Sequence, residues 1–265
     1  MNGAFRHPLR VGARLIWLAG ELMWAAIRFA PCVLFRSGSC GLEARASWLQ
    51  TGCRRALRLF NIRVKAHGPI PTRGLLVSNH LSYLDILVLS ALTPSIFIAK
   101  REVKNWPVFG WFARMAGTLF AERERRMQVG PLTRQLRAAL DHDVLAVLFP
   151  EGTSSDGRTI LPFKSALLEP ATDSSYPLSA SLIDYQLGDG DVGEEVCYWK
   201  DMTFIPHLLN LLSKRHIGVH VQFCEVRQGR THRKQLARQL HLELLSLKQF
   251  RSSPFSGSEK EISRS

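Results

Sequence analysis

The sequence predicts an α/β protein: a layered domain with a mixed, largely parallel central sheet flanked by helices, preceded by a membrane-associating helical module. Three observations carry this. From about residue 62, short apolar runs alternate with helix-period segments, the pattern of strands joined by crossover helices. The most apolar stretch, LIWLAGELMWAAIRFAPCVLF at 15–35, stands ahead of that pattern and outside it. A 46% hydrophobic share over 265 residues is enough for a substantial core.

Within the first stretch, Arg14, Glu21 and Arg28 recur every seven residues, so on a helix they fall close to one line. A spanning helix needs about 20 residues with few or no charges. A charged stripe with Trp17 and Trp24 beside it suits a helix lying in the headgroup region, or a half-inserted hairpin. The same pattern also fits an amphipathic helix packed on the domain. No clear small-x-small cleavage signal follows, which argues against a signal peptide. Residues 36–60 continue in the same vein, with Arg36, Arg45, Arg54, Arg55 and Arg58 among Leu, Trp and Phe. Residues 1–60 therefore read as a membrane-surface module.

In the body of the chain the predicted strands are 74–79, 95–100, 117–121, 144–149, 176–185 and 217–226. Helical patterns occupy 83–92, 108–116 and 129–142, and THRKQLARQLHLELLSLKQ at 231–249 predicts a final amphipathic helix. The folded domain is thus expected over 61–250. The remainder, 251–265, is Ser-rich and charged, the composition of a disordered tail.

Charge narrows the partners. Lys and Arg outnumber Asp and Glu by 35 to 22, for a net charge of +13. That balance points to a polyanion, either nucleic acid or an anionic membrane surface. No zinc-finger spacing, aromatic strand pair or basic zipper helix is present, so nucleic acid is not expected. The five cysteines, Cys32, Cys40, Cys53, Cys197 and Cys224, form no C-x-x-C pair and no ligand spacing. They fit a reducing compartment, and neither a metal nor a bound cofactor is expected.

Two strand ends carry the chemistry. In VSNHLSYLDILVL, His80 follows a strand and Asp85 enters the next helix. Nine His and nine Asp yield roughly 0.3 such H-x-x-x-x-D pairs by chance, so position matters more than the match itself. Ligands of α/β folds gather at the carboxyl ends of strands. A His there can take a proton from a hydroxyl, while a carboxylate on its other nitrogen fixes the tautomer. The alternative is that Asp85 serves the helix N-terminus and His80 bonds backbone. In FPEGTSSDG, Glu151, Gly152 and Thr153 again follow a strand, where they could grip a polar ligand or simply form a turn. G-x-S-x-G, G-x-x-x-x-G-K-[ST] and H-E-x-x-H are all absent, so without a poised nucleophile the pair should activate a substrate hydroxyl.

NHLSYLD and FPEGT, about 70 residues apart, together resemble the paired motifs of the lysophosphatidic acid/glycerolipid acyltransferase family. The segment between them, Lys100 to Arg123, resembles that family's lysine-led stretch and its G-x-x-F-x-x-R motif, here Gly117, Phe120 and Arg123. LPFKSALL resembles a further segment, and the apolar N-terminus is similar in character to the family's membrane anchors. The resemblance implies transfer of a fatty acyl group from acyl-CoA or acyl carrier protein to the hydroxyl of a lysolipid. It also implies an anionic membrane as partner, at the cytoplasmic face (the inner membrane in a bacterium). His80 would be the general base and Asp85 its orienting partner. Lys100 and Arg123 match positions associated with the acceptor phosphate, and Glu151, Gly152 and Thr153 fall in the acceptor-binding motif. The implied acceptor is 1-acyl-glycerol-3-phosphate, the product being phosphatidic acid.

Two departures matter. Ser154 stands where many members carry Arg, and Ala166 where Gly is common. Ser154 removes a candidate phosphate ligand and makes a lyso-ornithine lipid O-acyltransferase the alternative. A hydrolase using water as acceptor, or a catalytically silent membrane-binding protein, would share parts of this pattern.

Overall fold

Strands buried on both faces read as unbroken apolar runs, and that is what the centre of this molecule contains. The computed structural model describes residues 7–34, 41–106, 108–121, 129–172, 175–226 and 232–252. The first elements among the described residues are helices α1 (Pro8–Leu34) and α2 (Leu42–Phe60). It continues through β1 (Ile62–His67), β2 (Leu75–Ser78), α3 (Leu84–Leu92), β3 (Ser95–Lys100), α4 (Phe109–Met115), β4 (Leu119–Ala121), α5 (Val129–Asp141) and β5 (Leu145–Leu148). Then come β6 (Leu178–Gln186), α6 (Val192–Glu195), α7 (Phe204–Ser213), β7 (Ile217–Glu225) and α8 (Arg233–Ser252).

The seven strands form one sheet in the order β1-β7-β6-β2-β5-β3-β4. All neighbouring pairs run parallel except β6 and β7. Side chains alternate between two cores, as the pleat requires. Leu76, Phe97, Val147 and Val219 face one, with α2, α3 and α7. Val77, Ile96, Ala146 and Ala180 face the other, with α5 and α8. Every residue of β2 and β5, the strands that lead to His80 and Glu151, is buried.

Each predicted strand and helix has its counterpart, with ends moved by up to three residues. Three elements are additional. The edge strand β1 alternates Ile62, Val64 and Ala66 with Arg63, Lys65 and His67. It pairs with β7 from Ile62↔Ile217 to His67↔Gln222, and its charged residues suit an edge. Helices α6 and α7 fill what the sequence reading left unassigned. α8 runs to Ser252, and residues 253–265, where the disordered tail is expected, lie outside the described residues.

The two N-terminal helices differ in their roles. Residues 42–60, which the sequence groups with the membrane module, also furnish the core: Ala46 reaches one cluster, and Cys53, Leu57, Leu59 and Phe60 the other. α1 turns Arg10, Arg14 and Glu21 toward the protein, whereas Arg28 is exposed. Arg10 donates to the Ser213 carbonyl at 2.8 Å, and Arg14 donates to those of Leu212 and Lys214 at 2.9 and 2.6 Å. Both thereby satisfy carbonyls at the C-terminus of α7, where cations are favoured. Glu21 accepts from Trp17 Nε1 at 2.7 Å and pairs with Arg55. The opposite side presents Leu9, Ile16 and Met23, again seven apart, and Ile27, with exposures of 89%, 77%, 64% and 64%. No helix among the described residues is long and apolar enough to cross a membrane.

Candidate active site

At Ser78 strand β2 stops and the chain turns away, yet the ladder to β6 continues by one rung through a side chain. The Asn79 amide donates to the Ile183 carbonyl at 2.9 Å and accepts from the Ile183 N–H at 2.7 Å. This splice fixes the next residue, His80, at the carboxyl end of the sheet.

The His80 ring is held on two sides. It stacks on Phe149 with centroids 4.2 Å apart, and its Nδ1 lies 2.8 Å from Asp85 Oδ2. A carboxylate only accepts, so Nδ1 carries the proton and Nε2 of the neutral ring keeps its lone pair. Nε2 has no hydrogen-bond partner among the described residues, and the side chain keeps 21% of its surface exposed.

Asp85 is fully buried in the first turn of α3. Its Oδ2 also accepts from the backbone N–H groups of Leu81 and Ser82 at 2.7 and 3.0 Å. Its Oδ1 accepts from the Tyr185 hydroxyl at 2.7 Å. The two readings of Asp85 that the sequence leaves open therefore hold together: one carboxylate organises the turn into α3 and pairs with His80. Four donors therefore converge on this one buried carboxylate.

Glu151 closes the second loop against the first. Its Oε1 accepts from the His80 N–H at 2.8 Å and its Oε2 from the Leu161 N–H at 2.9 Å. The Ser155 N–H returns to the His80 carbonyl at 3.0 Å. Burial raises the Glu151 carboxyl above its ordinary range, with the backbone donors opposing it. Both oxygens are thus engaged by backbone N–H groups, one of them that of His80. Gly152 adopts φ +66°, and the Lys164 side chain lies so close over it that a Cβ would come within 2.6 Å of Nζ. Thr153 is exposed. The Ser154 hydroxyl donates to the Tyr198 carbonyl, and the Tyr198 N–H donates to the Leu81 carbonyl at 2.8 Å.

Lys100 ends β3, half-buried. The pairing of Val77 with Leu148 and of Phe97 with Val147 puts it at the same end of the sheet as His80 and Glu151. Arg123 lies outside the described residues. Asn79, Phe149, Lys164 and Tyr185 are site residues that the sequence reading did not single out. Asn79 adjoins His80 in the motif, whereas nothing local ties Tyr185 to Asp85, 100 residues away. No group of three or more His, Cys, Asp or Glu among the described residues could hold a metal ion.

Residues 61–183 match the family model described as Acyltransferase. Over 212 residues the chain is 37% identical to a lyso-ornithine lipid O-acyltransferase of Brucella abortus (strain 2308), covering 74% of this chain and 79% of that one. Over 198 residues it is 35% identical to a 1-acyl-sn-glycerol-3-phosphate acyltransferase of Neisseria meningitidis serogroup B, covering 70% and 73% respectively. In fold it is similar to the crystal structure of the 1-acyl-sn-glycerophosphate (LPA) acyltransferase, PlsC, from Thermotoga maritima. That likeness has a TM-score of 0.69 over 96% of this chain and 100% of that one, at 18% identity.

The Asn79 splice is testable alone. Asn79→Ala leaves the Ile183 N–H and C=O without their partners in a buried place, at about 1–3 kcal/mol for each group left unsatisfied. Urea denaturation of the variant is expected to show a loss of about 2–4 kcal/mol in stability with an unchanged slope. A midpoint equal to that of the parent chain would contradict the splice.

Proposed function

Because the chain belongs to the acyltransferase family, we propose that it moves a fatty acyl group from acyl-CoA or acyl carrier protein to the free hydroxyl of a lysolipid, with His80 as general base. The observation that carries this reading is the His80 ring, protonated on Nδ1 by its contact with Asp85 and open on Nε2. As the lysolipid hydroxyl attacks the thioester carbonyl, its proton passes to Nε2 and the new C–O bond forms. The tetrahedral intermediate then expels the thiolate, which takes the same proton from the imidazolium. Asp85 stabilises the imidazolium during its lifetime. Glu151 acts as a positioning residue, since its carboxylate holds the His80 backbone. Direct transfer fits the nearby thiol too: burial, with Asp85 adding to it, pushes Cys197 up to about 12, so it stays a protonated thiol.

The acceptor we propose is 1-acyl-glycerol-3-phosphate. Lys100 stands at the mouth of the site, and Lys164, laid over Gly152, brings a second cation to the loop that carries Ser154. Arg123 is assigned to the same head group by its motif. Lyso-ornithine lipid is the second reading, favoured by one observation: Ser154 offers no cation, and its hydroxyl is committed to the Tyr198 carbonyl.

The protein works at an anionic membrane surface, with the outward row Leu9, Ile16, Met23 and Ile27 of α1 entering the lipid. The excess of basic residues supports the approach. An anchored, monotopic arrangement suits a helix whose Arg10 and Arg14 are turned inward onto α7 and whose Glu21 pairs with Arg55 of α2.

Three outcomes test this. His80→Ala is expected to lower turnover by at least about 10²–10⁴-fold with the fold intact, because that is the range general-base catalysis supplies. Near-parental turnover in the purified variant would remove the mechanism. For the acceptor, acylation of 1-acyl-glycerol-3-phosphate and of lyso-ornithine lipid is measured side by side. The first is expected to be the better substrate, and Ser154→Arg to preserve or improve it; acylation of the ornithine lipid alone would reverse the choice. For the membrane, Ile16→Glu with Met23→Glu is expected to abolish most flotation with anionic vesicles while leaving the circular dichroism spectrum unchanged. Flotation equal to the parent chain would place the contact elsewhere.

A further inference from the structure

Tyr185 meets Asp85 at the carboxylate oxygen that the His80 ring does not contact. Asp85 divides its two oxygens unequally. Oδ2 is shared by the His80 ring and the N–H groups of Leu81 and Ser82. Oδ1 is held by the Tyr185 hydroxyl at 2.7 Å. Tyr185 is 3% exposed, near the end of β6, in the same apolar cluster as Leu84, Val88 and Cys197. Its hydroxyl must be the donor, since the carboxylate only accepts. Burial, and then Asp85 itself, hold the phenol far above its ordinary titration range, so it remains a donor throughout the working pH range.

We infer that Tyr185 is a positioning residue for the acyl transfer, setting through Asp85 both the aim of the His80 ring and its basicity; this rests on the reading of His80 as general base. Two consequences follow from the geometry. A carboxylate pinned at Oδ1 cannot rotate about its Cβ–Cγ bond, so Oδ2 stays in line with Nδ1. A donated hydrogen bond also withdraws charge from the carboxylate, which weakens its hold on the imidazolium. The titratable groups facing this pair are few. His80 comes from the loop after β2, Tyr185 from β6, Cys197 from the segment before α7 and Glu151 from the loop after β5, with Tyr83 beside Tyr185. Cys197 and Tyr185 are both held in their neutral forms. Tyr83 is raised likewise by burial and then by Tyr198, and Glu151 is common to every variant below.

The test is the pH dependence of kcat/KM, taken with whichever lysolipid and acyl donor support parental turnover. The limb of interest is the acidic one, where activity is lost as Nε2 becomes protonated. Tyr185→Phe keeps the ring and removes the donor, leaving a more basic carboxylate that holds the imidazolium more tightly. The limb is therefore expected to move up by about 0.5–1 pH unit, with kcat reduced about tenfold by the loosened carboxylate. Replacing Tyr185 by 3-fluorotyrosine keeps the shape and strengthens the donor, and the limb is then expected to move down. A role confined to packing would not produce opposite shifts. Substrate ionisation is common to all the profiles and cancels in the comparison. Unmoved limbs, or shifts in the same direction, would overturn the inference. If Tyr185→Phe does not fold, the fluorinated protein decides alone, and an unmoved limb overturns it. The His80→Ala variant separates the two claims. Full activity there removes the base itself, whereas an inactive His80→Ala beside unmoved limbs removes only the role of Tyr185.

Discussion

A carboxylate with no access to water must find its hydrogen bonds within the protein, and the arrangement around Asp85 follows from that demand. Leaving such a group unsatisfied costs far more than a typical hydrogen bond contributes. The fold meets the demand from three directions: the loop after β2 supplies two N–H groups, β6 supplies a hydroxyl, and His80 supplies its ring N–H. Remove any of these and a buried charge loses a partner. The tautomer of His80, the turn into α3 and the placement of β6 beside β2 are thus aspects of one electrostatic constraint.

The second carboxylate extends the constraint outward. Glu151 grips the backbone N–H of His80 and that of Leu161, and the Ser155 N–H closes a second link to His80. The loops after β2 and β5 therefore move as one body, and Tyr198 ties in a third segment through Leu81. The strands on which this body stands, β2 and β5, are buried at every position. The His80 ring is thus held in place before any substrate arrives, as the general-base role proposed for it requires.

Much of this is visible in the amino-acid sequence, and the remainder is hidden for identifiable reasons. The strands leading to His80 and Glu151 show as apolar runs because both their faces are buried, so periodicity alone locates the two motifs. Edge strand β1 is harder to see, because Arg63, Lys65 and His67 interrupt it with charge. α1 shows three charges on one line, but not that Arg14 and Glu21 face inward. Their partners are the carbonyls of Leu212 and Lys214 and the guanidinium of Arg55, remote in sequence. Glu151 reads from sequence as a ligand-gripping residue, and its engagement by two backbone N–H groups emerges only when the loops are assembled. Tyr185 ends a predicted strand with nothing nearby to suggest a carboxylate beneath its hydroxyl. Long-range pairing is what the sequence conceals: Asp85 is reached on one side by neighbours in its own loop and on the other by Tyr185, 100 residues away.

The most direct test of the account is the protonation of the His80 ring itself, read by nitrogen NMR on protein labelled in its histidines. The signal is assigned by its loss in His80→Gln. With Asp85 on Nδ1, the neutral ring is expected to carry its proton on Nδ1, the minor form of a free histidine side chain, and to show a far-downfield Nδ1 proton. A neutral His80 protonated on Nε2 would contradict the account, because the nitrogen proposed to take the acceptor's proton would then have no lone pair with which to do so.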